Sequence, residues 1–451
     1  MSIITTPPAV APSADWRFPV PREERLDNGI RVLAYHCPGQ YVVAASLFFD
    51  SPLESEPREQ EGVAGLVGRC VTQGAAGRSA EEFADALALS GAELEGSAFV
   101  DGFAVRLAVP ATHLSEGLGL LADAVIRPDF PRDEVDHERS LRLEEIEQAR
   151  AYPQHVAVET LNAAVFGDNR SARLAGGDVD TVSGLTRDHV VEYAATQLRQ
   201  DNTTLVIAGD FHDLDPVRLA SDALGGWVST PGPEAARSHP ALSDQAELLL
   251  VDWPDAPQTT IRAAAPGLTR SDPRWPAMFV ANHAVGGSFS SRLNSVLREE
   301  KGLTYGVSSG LDSGRLTGLF TVATAVRGDA GAEAIDDILR ILRAAAGDLT
   351  DAEAATGIRA ATESAALGFE RAEAVVGRVE MLLSHRLPLT HVDTNLDRIR
   401  RVTTEQVNAA YVDVLDPDAM TVVVVGDANA LRGPLTELGY APVREVTPTR
   451  R

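Results

Sequence analysis

The sequence predicts an α+β protein made of two similar halves, and three observations carry that expectation. Segments with strand-like alternation are interleaved with helical patterns along most of the chain, the mix expected of sheets covered by helices. That order stops once, at 229–245, and then restarts. The two halves also end alike: GLTRDHVVEYAATQLRQDNTTLVIAGD closes the first and RVTTEQVNAAYVDVLDPDAMTVVVVGD the second, so that Thr186 falls on Thr403, Val190 on Val407 and Gly209 on Gly426 at a constant offset of 217 residues. A fixed offset over such a span is the mark of a duplicated domain.

Composition bounds the function. A chain of 451 residues with 44% hydrophobic and 23% charged residues has the balance of a soluble globular protein of two or more domains. No apolar run reaches the roughly 18 residues that a membrane span requires. Residues 1–16, MSIITTPPAVAPSADW, lack a basic and an apolar signal region and are expected to form a flexible N-terminal arm. Two cysteines, Cys37 and Cys70, argue against a disulfide framework and fit a cytoplasmic location. A net charge of −25 disfavours nucleic acid and anionic membranes as partners.

The first half, 17–228, opens with apolar stretches at 30–35 and 42–49 around Pro38-Gly39, which predict a strand, a turn and a strand. A helix is expected from Gly62 to Gln73, and the pair Ser79/Glu82 is a capping box for a second helix to about Ser90. Phe103, Val105, Leu107 and Val109 alternate as a half-buried strand, and helical patterns follow at 111–126, 133–150 and 153–166. Thr186 and Asp188 open a further helix, and 204–208 is a short apolar strand.

The stretch STPGPEAARSHPALSDQ, 229–245, is rich in Pro, Ser and Ala and is the expected linker. The second half, 246–435, carries strands near 247–252, 259–265 and 317–326, and helices at 274–285, 331–346, 351–367 and 371–385. Thr350/Glu353 and Thr403/Gln406 are capping boxes. Residues 436–451 are expected as a C-terminal tail.

The most informative stretch is GGSFSSRLNSVLREEKGLTYGVSSGL, from Gly286 to Leu311. Ser288, Ser290 and Ser291 offer N-cap oxygens to a short helix with the apolar stripe Leu293, Val296, Leu297. Gly302 sits where a left-handed residue ends a helix, and a strand is expected from Thr304. Read from spacing alone, Arg298 is a helix-end cation and Tyr305 a strand aromatic. The run, however, closely resembles the C-terminal half of the M16 peptidase family, that of pitrilysin and the mitochondrial processing peptidase, in its M16B type. The shared pattern is a Gly-Gly-Ser opening, an Arg, and Gly-Leu-x-Tyr. The resemblance extends over about 17–430 and implies two homologous M16 domains closing as a clam shell around a peptide. It implies that Arg298 and Tyr305, with Gly286, Gly287 and Ser288 beside them, bind substrate, and that Arg298 and Tyr305 contact the substrate carbonyl and the developing oxyanion.

A zinc hydrolase needs three protein ligands and one open coordination position. The family supplies them with His-x-x-Glu-His and a distant Glu. Aligned on Gly62 and Ala64, this chain places Gly65, Gly68 and Arg69 at the His, Glu and His positions, so the motif is degenerate. Glu145, seven residues after Glu138, matches the third ligand, and without histidines it is expected, with Glu138, Glu144 and Glu147, on a solvated helix face. Cys70 is expected to be buried. His36 beside Cys37, and His385 six residues before His391, are the nearest approaches to a ligand spacing elsewhere, and no metal is expected in this chain. A Gly-x-Ser-x-Gly pattern occurs at 306–310, but within the strand expected from Thr304 rather than at a strand-to-helix turn, so it makes no nucleophile elbow, and no phosphate-binding Gly-Lys-Ser/Thr loop occurs. The resemblance therefore implies a non-catalytic subunit, inactive alone, that completes a cytoplasmic heterodimeric metalloendopeptidase. Zinc would lie on a partner with His-x-x-Glu-His, and peptides would be processed between the two. The alternative is a scaffold or peptide-binding module without chemistry.

Overall fold

Two six-stranded sheets frame the protein in the computed structural model, which describes residues 16–447. The first contains β1 (Arg22–Arg25), β2 (Arg31–His36), β3 (Val42–Phe49), β4 (Glu93–Phe99), β5 (Gly102–Pro110) and β6 (Thr203–Gly209), in the order β1-β2-β6-β3-β5-β4. The second contains β7 (Glu247–Asp252), β8 (Gln258–Pro266), β9 (Thr304–Ser313), β10 (Gly318–Arg327), β11 (Thr421–Gly426) and β12 (Val443–Val446), in the order β12-β7-β11-β8-β10-β9. Five strands of each sheet share one order, with a single parallel pair in each, β2 with β6 and β7 with β11, and antiparallel neighbours beyond. The halves differ at the far edge. There β1 runs antiparallel to β2, whereas β12 runs parallel to β7.

The expected C-terminal tail needs correction on this point. Beyond residue 435 the chain ends a helix at Glu437 and then adds β12 to the sheet, with Val443 opposite Leu248. The four-residue strand is too short for a period to show in the sequence. The expected N-terminal arm lies outside the described residues except for Trp16, whose ring stacks on Phe369 at 5.3 Å.

The helices that matter for the site are α1 (Val63–Cys70), α2 (Arg132–Ala149), α3 (Pro153–Phe166), α4 (Arg187–Gln197), α5 (Ala372–Ser384), α6 (His391–Arg401) and α7 (Thr404–Val414). The duplication is visible in α4 and α7: each is opened by a threonine, Thr186 or Thr403, as the sequence predicts, and the capping box predicted at Thr403/Gln406 has a counterpart in Thr186 with His189. Each half has its own core, one around Phe49, Phe103 and Leu107, the other around Met278, Phe320 and Tyr411.

The remaining faces of the sheets are covered by exchange. Val375, Val376, Val379 and Leu382 of α5, a second-half helix, pack on Leu33, Tyr35, Ala44 and Val206 of the first sheet. Reciprocally, Val156, Ala157, Leu161 and Val165 of α3 pack on Leu249, Val251, Ala264 and Val423 of the second. A forked pair anchors the first exchange: Arg106 on β5 donates Nε to Glu380 Oε1 at 2.8 Å and Nη2 to Oε2 at 2.6 Å. Such bidentate geometry fixes register as well as adding attraction.

The linker carries no helix or strand, yet its course is fixed. Asp50 of β3's end receives Arg237 from the linker, Arg315 at 3.1 Å and Arg386 at 3.0 Å from the second half. Burial pushes the Asp50 carboxyl up, but the hydrogen bond from Arg386 and the charges of Arg237 and Arg315 outweigh it and hold the group below its ordinary value. Asp50→Asn removes the charge that gathers three guanidinium groups. Trypsin is then expected to cut at Arg237, which is 7% exposed, at least several-fold faster than in the parent. Unchanged cleavage would show that other contacts fix the linker.

Candidate functional site

α1 holds the positions that the sequence aligns with a zinc motif. Its N-terminus is set by Glu56, whose Oε1 accepts from the backbone N–H groups of Gly62 at 3.1 Å and Ala64 at 2.9 Å. Oε2 of the same carboxylate receives Arg170 at 2.7 Å, both side chains being almost fully buried. Carboxylate oxygens at the start of a helix satisfy donors that have no intrahelical partner.

From there α1 runs against β4 backbone to backbone. A Cβ on Gly68 would lie 2.8 Å from the carbonyl oxygen of Gly96 in β4, and one on Gly96 would lie 2.6 Å from that of Gly68. The contact admits only glycine on both sides. Gly65 is less restricted, its nearest neighbour being the Gly176 Cα at 3.6 Å from the added carbon.

Arg69 turns toward α2. Its Nε donates to Glu138 Oε2 at 2.8 Å, and Nη1 lies 3.1 Å from Glu145 Oε1. Gln73 adds a hydrogen bond to Glu138 Oε1 at 3.1 Å, and Arg142 approaches Glu145 at 3.3 Å. Glu138 does not stand on a solvated face as expected; its side chain is 12% exposed, drawn in by Arg69 and Gln73. Glu145, 46% exposed, keeps more of that character. The Arg69 guanidinium thus bridges the two carboxylates, and Arg142 brings a second cation to Glu145. Cys70 is fully buried, as expected, and burial pushes its thiol up to about 12. Among the described residues no group of three or more His, Cys, Asp or Glu side chains is arranged to hold a metal.

The second candidate region begins where Gly286 and Gly287 end a π-turn that follows the helix Trp275–Asn282. Both glycines have a packing reason. A Cβ on Gly286 would lie 2.4 Å from Ser309 Oγ, and one on Gly287 would lie 2.7 Å from Asn282 Nδ2. Ser291 caps the next helical segment, but only Arg292–Asn294 is α-helical, and Ser295–Glu300 is wound as a π-turn. Leu293 and Leu297 are fully buried as predicted, and Gly302 has the left-handed φ of +62° that lets Leu303 N–H reach the carbonyl of Leu297 at 2.8 Å.

Asn294 organises the corner, and nothing in the sequence singled it out. Its Nδ2 donates to the carbonyls of Ser288 at 3.1 Å and Val307 at 2.8 Å, and its Oδ1 accepts from Val307 N–H at 3.1 Å. One buried amide therefore ties the glycine-serine loop to β9. Further out, Arg292 clamps Glu353 with Nε at 2.7 Å and Nη2 at 2.8 Å. The hydrogen bond from Arg292, against burial and helped by Thr350, holds Glu353 near pH 2 rather than 4.5. Since the folded value is depressed, this contribution is complete above the ordinary value and is lost as pH falls from 4.5 toward about 2. Glu353→Gln is expected to flatten the denaturant midpoint over that window, and an unaltered slope would remove the clamp from the acid response.

Arg298 is folded back. Its guanidinium lies 3.4 Å from the centre of the Phe289 ring and donates Nε to Glu299 at 2.9 Å. Tyr305 is placed by a β-bulge: Val307 pairs with Thr324 and Thr304 with Val326, so that Tyr305 and Gly306 oppose one residue of β10. The bulge turns the phenol out of the strand's alternation, and Tyr305 is 93% exposed on β9, an edge strand. No hydrogen bond joins Arg298 to Tyr305 among those found between described residues. Phe289, itself 75% exposed, is the neighbour that sequence reasoning missed.

Residues 31–177 match the family model "Insulinase (Peptidase family M16)", and residues 184–360 match "Peptidase M16 inactive domain". The chain belongs to peptidase family M16. An uncharacterized zinc protease of Streptomyces coelicolor is 27% identical to it over 428 residues, 91% of each chain. One of Mycobacterium leprae is 26% identical over 387 residues, 85% of this chain and 87% of that one. A crystal structure of a peptidase M16 inactive domain from Pseudomonas fluorescens superposes with a TM-score of 0.83 at 23% identity, covering 90% of this chain and 98% of that one. The two sheets are the paired domains of the M16 clam shell.

The M16 zinc site is not one that this chain's residues fit. Gly65 and Gly68 bring no donor atom, and Arg69 brings a permanent cation onto the two carboxylates. Gly68, moreover, has no room for a side chain.

Proposed function

We propose that this M16 chain is the zinc-free subunit of a heterodimeric M16B-type metalloendopeptidase. It would supply Arg298 and Tyr305 to peptide bonds cleaved on a zinc-bearing partner with His-x-x-Glu-His. The observation that carries the proposal is an asymmetry within one molecule. Arg69 closes the degenerate metal position through Glu138 and Glu145, while Tyr305 is held fully accessible by a bulge and spends its hydroxyl on no internal hydrogen bond that is seen. A phenol so placed has an O–H to donate to an oxyanion, and the guanidinium on Phe289, whose Nε and Nη2 donate to Glu299, keeps Nη1 for a carbonyl. Gly286, Gly287 and Ser288 shape the loop beside them, and β9 offers an edge to which an extended peptide can add. The proposed setting is cytoplasmic; no helix among the described residues is long and apolar enough to cross a membrane.

The isolated chain is expected to carry no stoichiometric zinc and to cleave no peptide. With its partner it should support cleavage, and Tyr305→Phe should lower kcat by about 10²–10³, the usual loss for one oxyanion donor. Because Tyr305 is 93% exposed, that variant should fold as the parent does. Full activity of the variant complex would take Tyr305 out of the chemistry. Failure of every M16 partner to confer activity would favour the scaffold, for which the closed metal position is the supporting observation.

A further inference from the structure

Away from both regions, four cationic or basic side chains converge without a counter-charge. Arg270 lies in the loop after β8, Arg378 on α5, and His385 and His391 lie at the two ends of the connection from α5 to α6. Their charges act on one another: burial and then Arg378 push Arg270 down to about 10. Burial, then Arg270, His391 and Arg315, push His385 down to about 4, and burial with Arg270, Arg398 and Arg378 pushes His391 down. Each guanidinium rests on an aromatic face, Arg270 at 4.8 Å from the Trp275 ring and Arg378 at 5.1 Å from that of Phe369. Neither side chain makes a salt bridge or donates a hydrogen bond among the described residues, and Arg270 Nε and His385 Nδ1 are buried with no partner.

That is costly, because a half-buried cation without an anion loses hydration that nothing returns. It is also unexpected in a chain of net charge −25. Nearby carboxylates are committed elsewhere. Asp272 is held by Arg274 at 2.9 Å, Asp393 accepts from Phe18 N–H at 2.9 Å, and Asp397 pairs with Arg17 at 2.9 Å and Arg400 at 2.8 Å. Stacking on aromatic rings leaves the planar N–H edges of guanidinium groups free, and those edges match an oxyanion.

We propose that Arg270, Arg378, His385 and His391 form a binding site for a small oxyanion, a carboxylate or phosphate group, where the loop after β8 meets α5 and α6. The two guanidinium groups hold the oxygens, and the imidazoles donate at the flanks. The site is separate from Arg298 and Tyr305, and it stands whether or not the chain serves a peptidase.

Calorimetric titration of the full chain with inorganic phosphate tests this, with ionic strength held constant by chloride. One saturable site is expected, weakened at least about tenfold in Arg270→Met and in Arg378→Met, the scale of a lost charged hydrogen bond. Each variant removes an uncompensated charge, so in phosphate-free buffer each should melt no lower than the parent. Short peptides then identify the source. Displacement of phosphate by a free C-terminal carboxylate, and not by its amide, assigns a peptide terminus; displacement by neither assigns phosphate. Absence of binding, equal binding by the variants, or displacement by the amide as well would overturn the proposal.

Discussion

Reinstating the lost motif by Gly65→His, Gly68→Glu and Arg69→His is expected to yield a chain that binds no stoichiometric zinc and is less stable by on the order of 3 kcal/mol or more. The largest contribution comes from residue 68. Its Cβ would lie 2.8 Å from Gly96 O, 2.9 Å from Gly96 C and 3.2 Å from Ser97 N, all backbone atoms of β4 that cannot rotate aside. Either α1 lifts from the sheet, exposing Val67 and Cys70, or β4 is displaced. Loss of Arg69 adds to this by leaving Glu138, 12% exposed, without its cation. Gly68→Ala alone should show most of the destabilisation, which separates the steric cause from the electrostatic one. Metal analysis and urea unfolding of both variants check the expectation. Stoichiometric zinc at parental stability would mean that the site lacks only its side chains.

Val379→Asp is expected to destabilise the whole molecule by about 4 kcal/mol, and Val379→Ala by about 1–2 kcal/mol. Val379 is fully buried on α5, packed with Leu33, Tyr35 and Val206 of the first sheet in an apolar cluster that cannot replace the hydration of a carboxylate. Because α5 belongs to the second half and covers the first, while α3 does the converse, neither sheet is shielded by its own half alone. Parent and Val379→Ala should therefore unfold in one transition by tryptophan fluorescence and circular dichroism alike. Two separated transitions would show that the halves are independent and that the exchanged helices contribute little.

Much of this fold is written in local chemistry. Ser79/Glu82, Thr350/Glu353 and Thr403/Gln406 each form the capping box that their spacing predicts, since the motif is satisfied within four residues. Gly302 takes its left-handed turn, and the 217-residue offset reappears as α4 and β6 against α7 and β11. Other elements had no such signal. The strand β1 is Arg-Glu-Glu-Arg, exposed throughout, and β4 is an edge strand without clean alternation. The short α-helical segment Arg292–Asn294 passes into a π-turn, and the side-chain amide of Asn294 ties that corner to Ser288 and Val307.

The sequence by itself determined the duplicated α+β halves, the break between them, the degenerate zinc motif and the corner that carries Arg298 and Tyr305. The duplication rests on the 217-residue offset, and the others on residue identity and on spacing within a few turns of chain. Only the tertiary structure decided that α3 and α5 change sides, because an apolar stripe states that a face is buried and not which sheet buries it. It likewise decided that Gly68 meets Gly96, that Arg69 answers Glu138 and Glu145, and that a bulge frees Tyr305. Those contacts join residues up to 76 positions apart in the chain, and no local preference encodes which distant group a side chain will meet.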